Sequence, residues 1–321
     1  KIPLAEKYYK SFLPFFPRAI GRHKVNADFI LSSDASLIKG MKKEPDVPHV
    51  CYCHSPPRYL WDMQDDYLNT MNKGKAKIFE WLTPYLRKFD LKGAENVDHF
   101  IVNSHYVKER VNRIYDREAK VIHPPVELDE FKFTSKSEDF YLVVAALVPY
   151  KKVNIAVKAF NKNGKKLVII GEGSELNNVK SIAKDNIQIL GAQPFEILKD
   201  RYKKCKAFIF PGIEDFGITP LEAQASGKPV IAIKKGGALE TVIEDKTGVF
   251  FEKQTPESLN KAIEKFESGD HEIIPEACRK NAEKFSPERF RKEIKDFLVS
   301  KYPEKFTNYP WGDIPDNPKE V

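Results

Sequence analysis

Glu214 and Glu222 stand eight positions apart in the run Phe210-Pro-Gly-Ile-Glu-Asp-Phe-Gly-Ile-Thr-Pro-Leu-Glu222-Ala-Gln-Ala-Ser-Gly-Lys-Pro-Val230. The apolar residues before Pro211 predict a strand, and those after Gly217 predict a helix. Thr219 is suited to the N-cap, Pro220 to the first helical position, Glu222 to a Thr-x-x-Glu capping box and Gly227 to the stop. A helix opening beyond a strand aims free N–H groups at whatever lies before it, which makes an anion site suited to phosphate. Both carboxylates then come within reach of a bound ligand, and carboxylate oxygens accept hydrogen bonds from sugar or ribose hydroxyls. Taken singly, each has a plain structural explanation: capping for Glu222, a solvated loop charge for Glu214.

Three other runs imitate chemistry without its context. Asp215-Phe216-Gly217 looks like the magnesium motif of protein kinases, but neither His-Arg-Asp nor Val-Ala-Ile-Lys accompanies it. Gly171-Glu-Gly173 lacks a third glycine and a ribose-binding acid at the right distance, which argues against a nicotinamide site. Cys51-Tyr-Cys53-His54 suggests a metal, yet strand spacing throws both thiols to one face, where packing of small apolar side chains accounts for them. The sequence therefore nominates no metal ligands.

The elements that must position the carboxylates are short and apolar. In the second half, strands are predicted at Tyr141–Leu147, Leu167–Ile170, Ile187–Leu190, Ala207–Phe210, Val230–Ile233 and Val249–Phe251, with helices at Asn154–Phe160, Glu196–Lys203 and Pro220–Ala225. Continuously apolar strands alternating with helices mean βαβ units and a parallel sheet covered on both faces. The first half repeats the style with Phe29–Ser32, Val50–Cys53, Phe100–Asn103 and Val121–His123, separated by helices over Lys75–Phe89 and Tyr106–Tyr115. The polar, Pro-containing segment from Pro124 to Ser137 reads as an interdomain linker. The expected organisation is an incomplete first domain over residues 1–132, a second over 133–290, and a C-terminal helix and tail over 291–321. Both domains are α/β, Rossmann-like and doubly wound, facing across a cleft, with ligands beyond the carboxyl ends of the strands.

Charge and composition remove several classes. Of the net +7, residues 1–24 hold +5, from Lys1, Lys7, Lys10, Arg18, Arg22 and Lys24 against Glu6, which leaves +2 for the rest. A uniformly basic nucleic-acid binder does not distribute charge this way, so no nucleic-acid partner is expected. No apolar run approaches the ~18 residues of a membrane span. Four cysteines and no Asn-x-Ser/Thr sequon point to a reducing cytoplasm. The chain starts at Lys1-Ile-Pro without an initiator Met or a signal-peptide h-region, and the expectation is a fragment lacking its N-terminal strand and Gly-rich loop.

Glu214-x7-Glu222 with Phe-Gly-Ile-Thr-Pro-Leu between resembles the signature of retaining glycosyltransferases of family 4, which have the two-domain GT-B fold. The resemblance extends to Gly236-Gly237-Ala238-Leu239-Glu240, Leu147-Val148-Pro149-Tyr150-Lys151-Lys152, Gly171-Glu172-Gly173 and Pro124-Pro125-Val126. Cys53-His54-Ser55-Pro56-Pro57-Arg58-Tyr59 is similar to a segment of mannosyltransferases that build bacterial O-antigens and exopolysaccharides. The resemblance implies that Glu222 binds ribose hydroxyls of a nucleotide sugar, Glu214 holds the transferred sugar, and N–H groups of Phe216, Gly217, Ile218 and Thr219 contact that sugar or its phosphate. It implies that Lys151 neutralises the leaving diphosphate, and that His54 and Asn103-Ser104 face donor sugar and acceptor. Gly171 belongs to the same donor site. Ala146 stands where the family usually has an arginine, which leaves Lys152 or another cation to compensate.

The implied activity is hexose transfer with retention, mannose from GDP-mannose, onto a glycan or a polyprenyl-diphosphate-linked glycan, with no required metal or other cofactor. The basic residues of 1–24 interleave with Tyr8, Tyr9, Phe12, Phe15 and Phe16, which suits contact with an anionic membrane at its inner face; an ordinary surface helix broken at Pro14 and Pro17 suits it equally. Two rivals share the architecture. One is a nucleotide-sugar-binding fragment or paralogue without turnover, against which stand intact Glu214 and Lys151. The other is a GT-B sugar-nucleotide epimerase, which the Phe-Gly-Ile-Thr-Pro-Leu-Glu arrangement fits less well.

Overall fold

Two parallel sheets organise residues 9–69 and 71–311, the residues described by this computed structural model. The first joins β1 (Ile30–Asp34), β2 (His49–Cys53), β3 (His99–Val102) and β4 (Ala119–Val121) in that order. The second comprises β5 (Tyr141–Val144), β6 (Leu167–Ile170), β7 (Ile187–Ile189), β8 (Ala207–Phe210), β9 (Val230–Ile233) and β10 (Gly248–Phe251), in the order β10-β9-β8-β5-β6-β7. Tyr141 of β5 lies between Leu167 of β6 and Ala207 of β8. From β5 the chain winds outward through β6 and β7, returns to β8, and winds the other way. The carboxyl ends of β5 and β8 therefore flank a topological switch point, where open α/β sheets bind ligands.

Alternation along each strand divides the core into two layers per sheet. Tyr141, Val143, Ile169 and Ile209 pack under the helices Val153–Asn163 and Pro256–Ser268. Leu142, Val168, Phe208 and Phe210 pack on the helices Phe195–Lys204, Ile218–Ala225 and Pro275–Glu283. In the first sheet, Cys51 and Cys53 share a face with Phe100 and Val102, against Val107 and Val111 of the helix His105–Tyr115. Both thiols are fully buried, and burial pushes Cys51 up to about 12 and Cys53 well above its ordinary value. They are packing groups, as their spacing implies. The opposite face carries Val50, Tyr52 and Ile101, covered by Leu298 and Phe306 from the end of the chain. The helix Pro287–Lys301 thus follows the second sheet in sequence but packs on the first.

Element bounds differ modestly from expectation. β5 ends at Val144 rather than Leu147, because the chain leaves the ladder to reach the turn Pro149–Lys151. The helix expected over Lys75–Phe89 runs from Lys73 to Glu95: Asn72 Oδ1 caps it by accepting from Lys75 N at 2.9 Å, and Leu86 and Ala94 keep it buried to the end. The segment Pro124–Ser137 is no free linker. Val126 N donates to Phe285 O at 2.9 Å, and Val126 and Phe131 are buried in the second core.

A buried ion cluster fixes the loops at the top of the first sheet. Lys39 Nζ lies 2.6 Å from Asp90 Oδ1 and 3.1 Å from Asp34 Oδ2, with all three side chains almost wholly buried. Trp61 Nε1 and Tyr115 Oη each donate to Asp90 Oδ2 at 2.9 Å. Burial opposes the Lys39 charge, but Tyr115 and the two carboxylates hold its pKa well above the ordinary value. The cluster ties the end of β1 to the long helix and to the segment carrying Arg58 and Tyr59.

Candidate active site

A cavity of about 450 Å³ opens at the switch point, walled by Ala145 and Ala146 after β5, Gly171 after β6 and Gly212 after β8. Lys151, Glu214 and Thr219 line it. Lys151 and Glu214, two of the three residues expected to be catalytic, form an ion pair. Glu214 also faces the first domain, for Arg58 Nη1 lies 4.0 Å from its Oε2. Arg58 Nε is 3.5 Å from Asp215 Oδ2, and the guanidinium lies over the Tyr150 ring, 5.2 Å from its centroid. Burial weighs against the Arg58 charge, but Asp215, Tyr150 and Glu214 raise its pKa. Arg110 of the helix His105–Tyr115 also pairs with Asp215, while its Nε reaches Asp62 Oδ2 at 3.0 Å. Two first-domain guanidiniums therefore grip the loop that carries Glu214.

That loop is seated from below. Gly237 N donates to Glu214 O at 2.9 Å. A Cβ at Gly237 would sit 2.2 Å from Phe216 Cα, so the Gly236-Gly237 pair is what lets the two loops touch. The helix beyond departs from expectation. It opens at Ile218, with Gly217 at φ +96° as N-cap, so Thr219 lies inside its first turn and caps nothing. The left-handed glycine turns the chain directly into the helix, and no side chain caps its first N–H groups. Glu222 is likewise no capping-box residue. Its Oε2 accepts from the fully buried Tyr202 Oη at 2.7 Å, and burial raises its pKa despite that bond. Gly227, at φ +79°, does follow the helix end.

His54 stands immediately after β2. Its Nε2 is 2.8 Å from Ser33 Oγ, and its backbone N–H donates to Asp34 O. Burial lowers its pKa, against the pull of Asp34 and Asp215, and so favours the neutral imidazole. Asn103 and Ser104 do not present their side chains to the cavity: Asn103 Nδ2 donates to His54 O at 2.9 Å, and Ser104 Oγ caps the next helix by accepting from Val107 N. Phe216 is buried, its ring stacked on His123 at 5.3 Å. Lys152, at φ +54°, lines a separate hollow with Glu175 and Val179. The cavity wall thus includes Lys151, Glu214, Thr219 and Gly171, and leaves out Lys152, Glu222, Phe216, Gly217, Ile218 and His54.

A second contact between the sheets lies at Glu240. Its carboxylate accepts from the backbone N–H groups of His105 at 2.9 Å and Tyr106 at 3.3 Å, capping a first-domain helix from the second domain. His105 Nδ1 is 2.8 Å and His123 Nε2 3.7 Å from the same Oε2. Among the described residues, these three side chains form a group with spacing able to hold a metal ion.

Residues 126–285 match the family described as glycosyl transferases group 1, and residues 2–130 match glycosyltransferase family 4. The chain belongs to the family 4 glycosyltransferases. It is 28% identical over 284 residues to the uncharacterized glycosyltransferase MJ1178 of Methanocaldococcus jannaschii, covering 83% of this chain and 75% of that one. To the O-antigen chain mannosyltransferase RfbU of Salmonella typhimurium it is 26% identical over 159 residues, 46% of this chain and 44% of the relative. The sucrose-phosphate synthase of Thermosynechococcus elongatus superposes with a TM-score of 0.70 at 17% identity, over 95% of this chain and 81% of that one. The two facing Rossmann-like domains of this glycosyltransferase are the GT-B fold.

Sequence reasoning about the glycosyltransferase missed the grip of Arg58 and Arg110 on the Glu214 loop, the Tyr202–Glu222 bond and the Glu240 cap. Arg58 lies in the run Cys53–Tyr59, and Asp215 in the run that imitates the kinase motif. No periodicity signals contacts that join separate domains.

Proposed function

We propose that this glycosyltransferase moves a hexose, mannose from GDP-mannose, with retention of configuration, onto a glycan or a polyprenyl-diphosphate-linked glycan. The observation that carries the reading is Glu214 set between Lys151 and Arg58 at the switch point, with the uncapped helix Ile218–Ala225 beside it. A carboxylate flanked by two cations offers an acceptor for sugar hydroxyls and, next to it, positive charge for a diphosphate. In the transfer, the bond from C1 to the diphosphate oxygen breaks, the acceptor oxygen bonds to C1, and the acceptor's proton leaves with the nucleoside diphosphate. Negative charge grows on the leaving oxygen, where Lys151, Arg58 and the helix N–H groups lower the barrier. The reading gives that charge to these groups rather than to a metal. Glu222, held by Tyr202, accepts from the ribose hydroxyls, and neutral His54 hydrogen-bonds on the acceptor side.

The mannose assignment is supported by the likeness to RfbU, named as a mannosyltransferase. The proposed setting is the cytoplasmic face of a membrane, with the basic residues of 1–24 touching lipid; residues 1–8 of that segment lie outside the described residues. No described helix is long and apolar enough to cross a membrane. Thermal-shift measurements with GDP-mannose, UDP-glucose and UDP-N-acetylglucosamine test the donor, because a ligand that binds the folded state raises its midpoint. GDP-mannose is expected to give the largest rise. No rise with any of the three would remove the reading.

A further inference from the structure

The helix Lys73–Glu95 buries Phe79, Leu86 and Asp90 against the first domain, yet its opposite face is not polar. Trp81 is 79% exposed, Ile78 60% and Tyr85 50%. Steps of three and four place these residues on one stripe, and the same steps continue it to Lys88 and Lys92. The helix exposes five lysines, Lys73, Lys75, Lys77, Lys88 and Lys92, against two carboxylates, Glu80 and Glu95. Its remaining acid, Asp90, is buried on Lys39. Leu13, Phe16 and Ile20 pack against the cluster that Phe79 and Leu86 of this helix form with Leu37 and Leu60, and the same segment exposes Phe15, Arg18 and Arg22.

Single exposed apolar residues need no explanation, but a contiguous stripe edged by cations does. An anionic bilayer surface satisfies both halves of the pattern. Aromatic rings settle at headgroup depth, and ammonium groups meet lipid phosphates. We propose that the Ile78–Trp81–Tyr85 face of this helix is the seat on which the protein rests on anionic lipid, with Trp81 as its anchor. This goes beyond a basic N-terminal segment touching lipid, because the contact is a folded helix face, and it is independent of the transfer reaction.

The test uses the full chain with vesicles of phosphatidylcholine and phosphatidylglycerol, and with phosphatidylcholine alone, without donor or acceptor. The wild type is expected to cosediment with the anionic vesicles at low salt, with Trp emission shifted to the blue and quenched by brominated lipid. Trp81→Phe should lose the quenching, since Trp61 is hydrogen-bonded to Asp90 and Trp311 packs on Phe306 and Tyr309, both away from this face. Ile78→Ser with Trp81→Ser and Tyr85→Ser should stay in the supernatant with an unchanged thermal midpoint. Should that variant misfold, Lys77, Lys88 and Lys92 changed to Gln give an independent test, weakening attachment about fivefold for each lysine. Four outcomes overturn the proposal: wild type that does not sediment, a triple Ser variant that folds and sediments as well as wild type, attachment without Trp81 quenching, or concentration-dependent self-association that the Ser variant abolishes while no lipid is bound. Because no sugar nucleotide is present, none of these results bears on the donor site.

Discussion

Replacing Glu222 by Gln should loosen nucleotide binding without weakening the fold. Gln keeps the shape and still offers an oxygen to Tyr202 Oη, now 2.7 Å from the carboxylate, so packing around the fully buried Tyr202 survives. What disappears is a buried negative charge. Burial raises the Glu222 pKa above its ordinary value, which means the folded state holds a proton there more tightly than the unfolded chain. The stabilising contribution of that linkage is present at low pH and is lost as pH rises through the folded pKa, so above that pKa the ionised group burdens the fold. Neutral Gln should therefore leave the thermal midpoint at pH 7 unchanged or raise it. If Glu222 takes its proposed role, ribose hydroxyls lose a charged acceptor worth ~1.5–3 kcal/mol, a weakening of about tenfold to a hundredfold. Calorimetric titration with GDP and GDP-mannose, beside a melting curve, reads both quantities. An unchanged affinity together with a lower midpoint would make Glu222 a structural group and remove it from the ribose site.

Arg58→Ala should depress sugar transfer about tenfold to a hundredfold while shifting the midpoint little, since the side chain faces the cleft; equal turnover would remove Arg58 from the diphosphate site. Lys39→Met strands Asp34 and Asp90 in the core and should cost about 3–5 kcal/mol in urea unfolding, part of it recovered by adding Asp34→Asn and Asp90→Asn. His49, 1% exposed, has its pKa lowered by burial from 6.5 to about 4. Its contribution is complete above pH 6.5 and erodes as pH falls toward 4, by about 3 kcal/mol in all, and His49→Gln should flatten that part of the stability profile. A wild-type profile that is already flat between those limits would contradict the assignment.

The second domain was readable because its strands are continuously apolar and its glycines mark real turns. Leu167–Ile170, Ala207–Phe210 and Val230–Ile233 form strands over the expected residues, and Glu214 and Lys151 meet at one cavity. The helix start is not legible in the sequence because Gly217 in the left-handed region competes with Thr219 for the N-cap, and composition does not reveal φ. Glu222 fits a capping box on paper, yet Tyr202 lies twenty residues upstream and reaches it only through the packing of two helices. Arg58, Arg110 and Glu240 act across the cleft, so their partners follow from how the domains face each other rather than from any local pattern.

Lys151 and Glu214 at the switch point are proposed to hold a sugar diphosphate for transfer. The direct measurement is NMR of the sugar released or transferred from GDP-mannose by wild type, Lys151→Ala and Glu214→Ala, each shown to be folded. Wild type is expected to turn over with the anomeric configuration of the donor retained, and both variants to lose at least about a hundredfold. Inverted product, or near-normal turnover in either variant, would contradict that role.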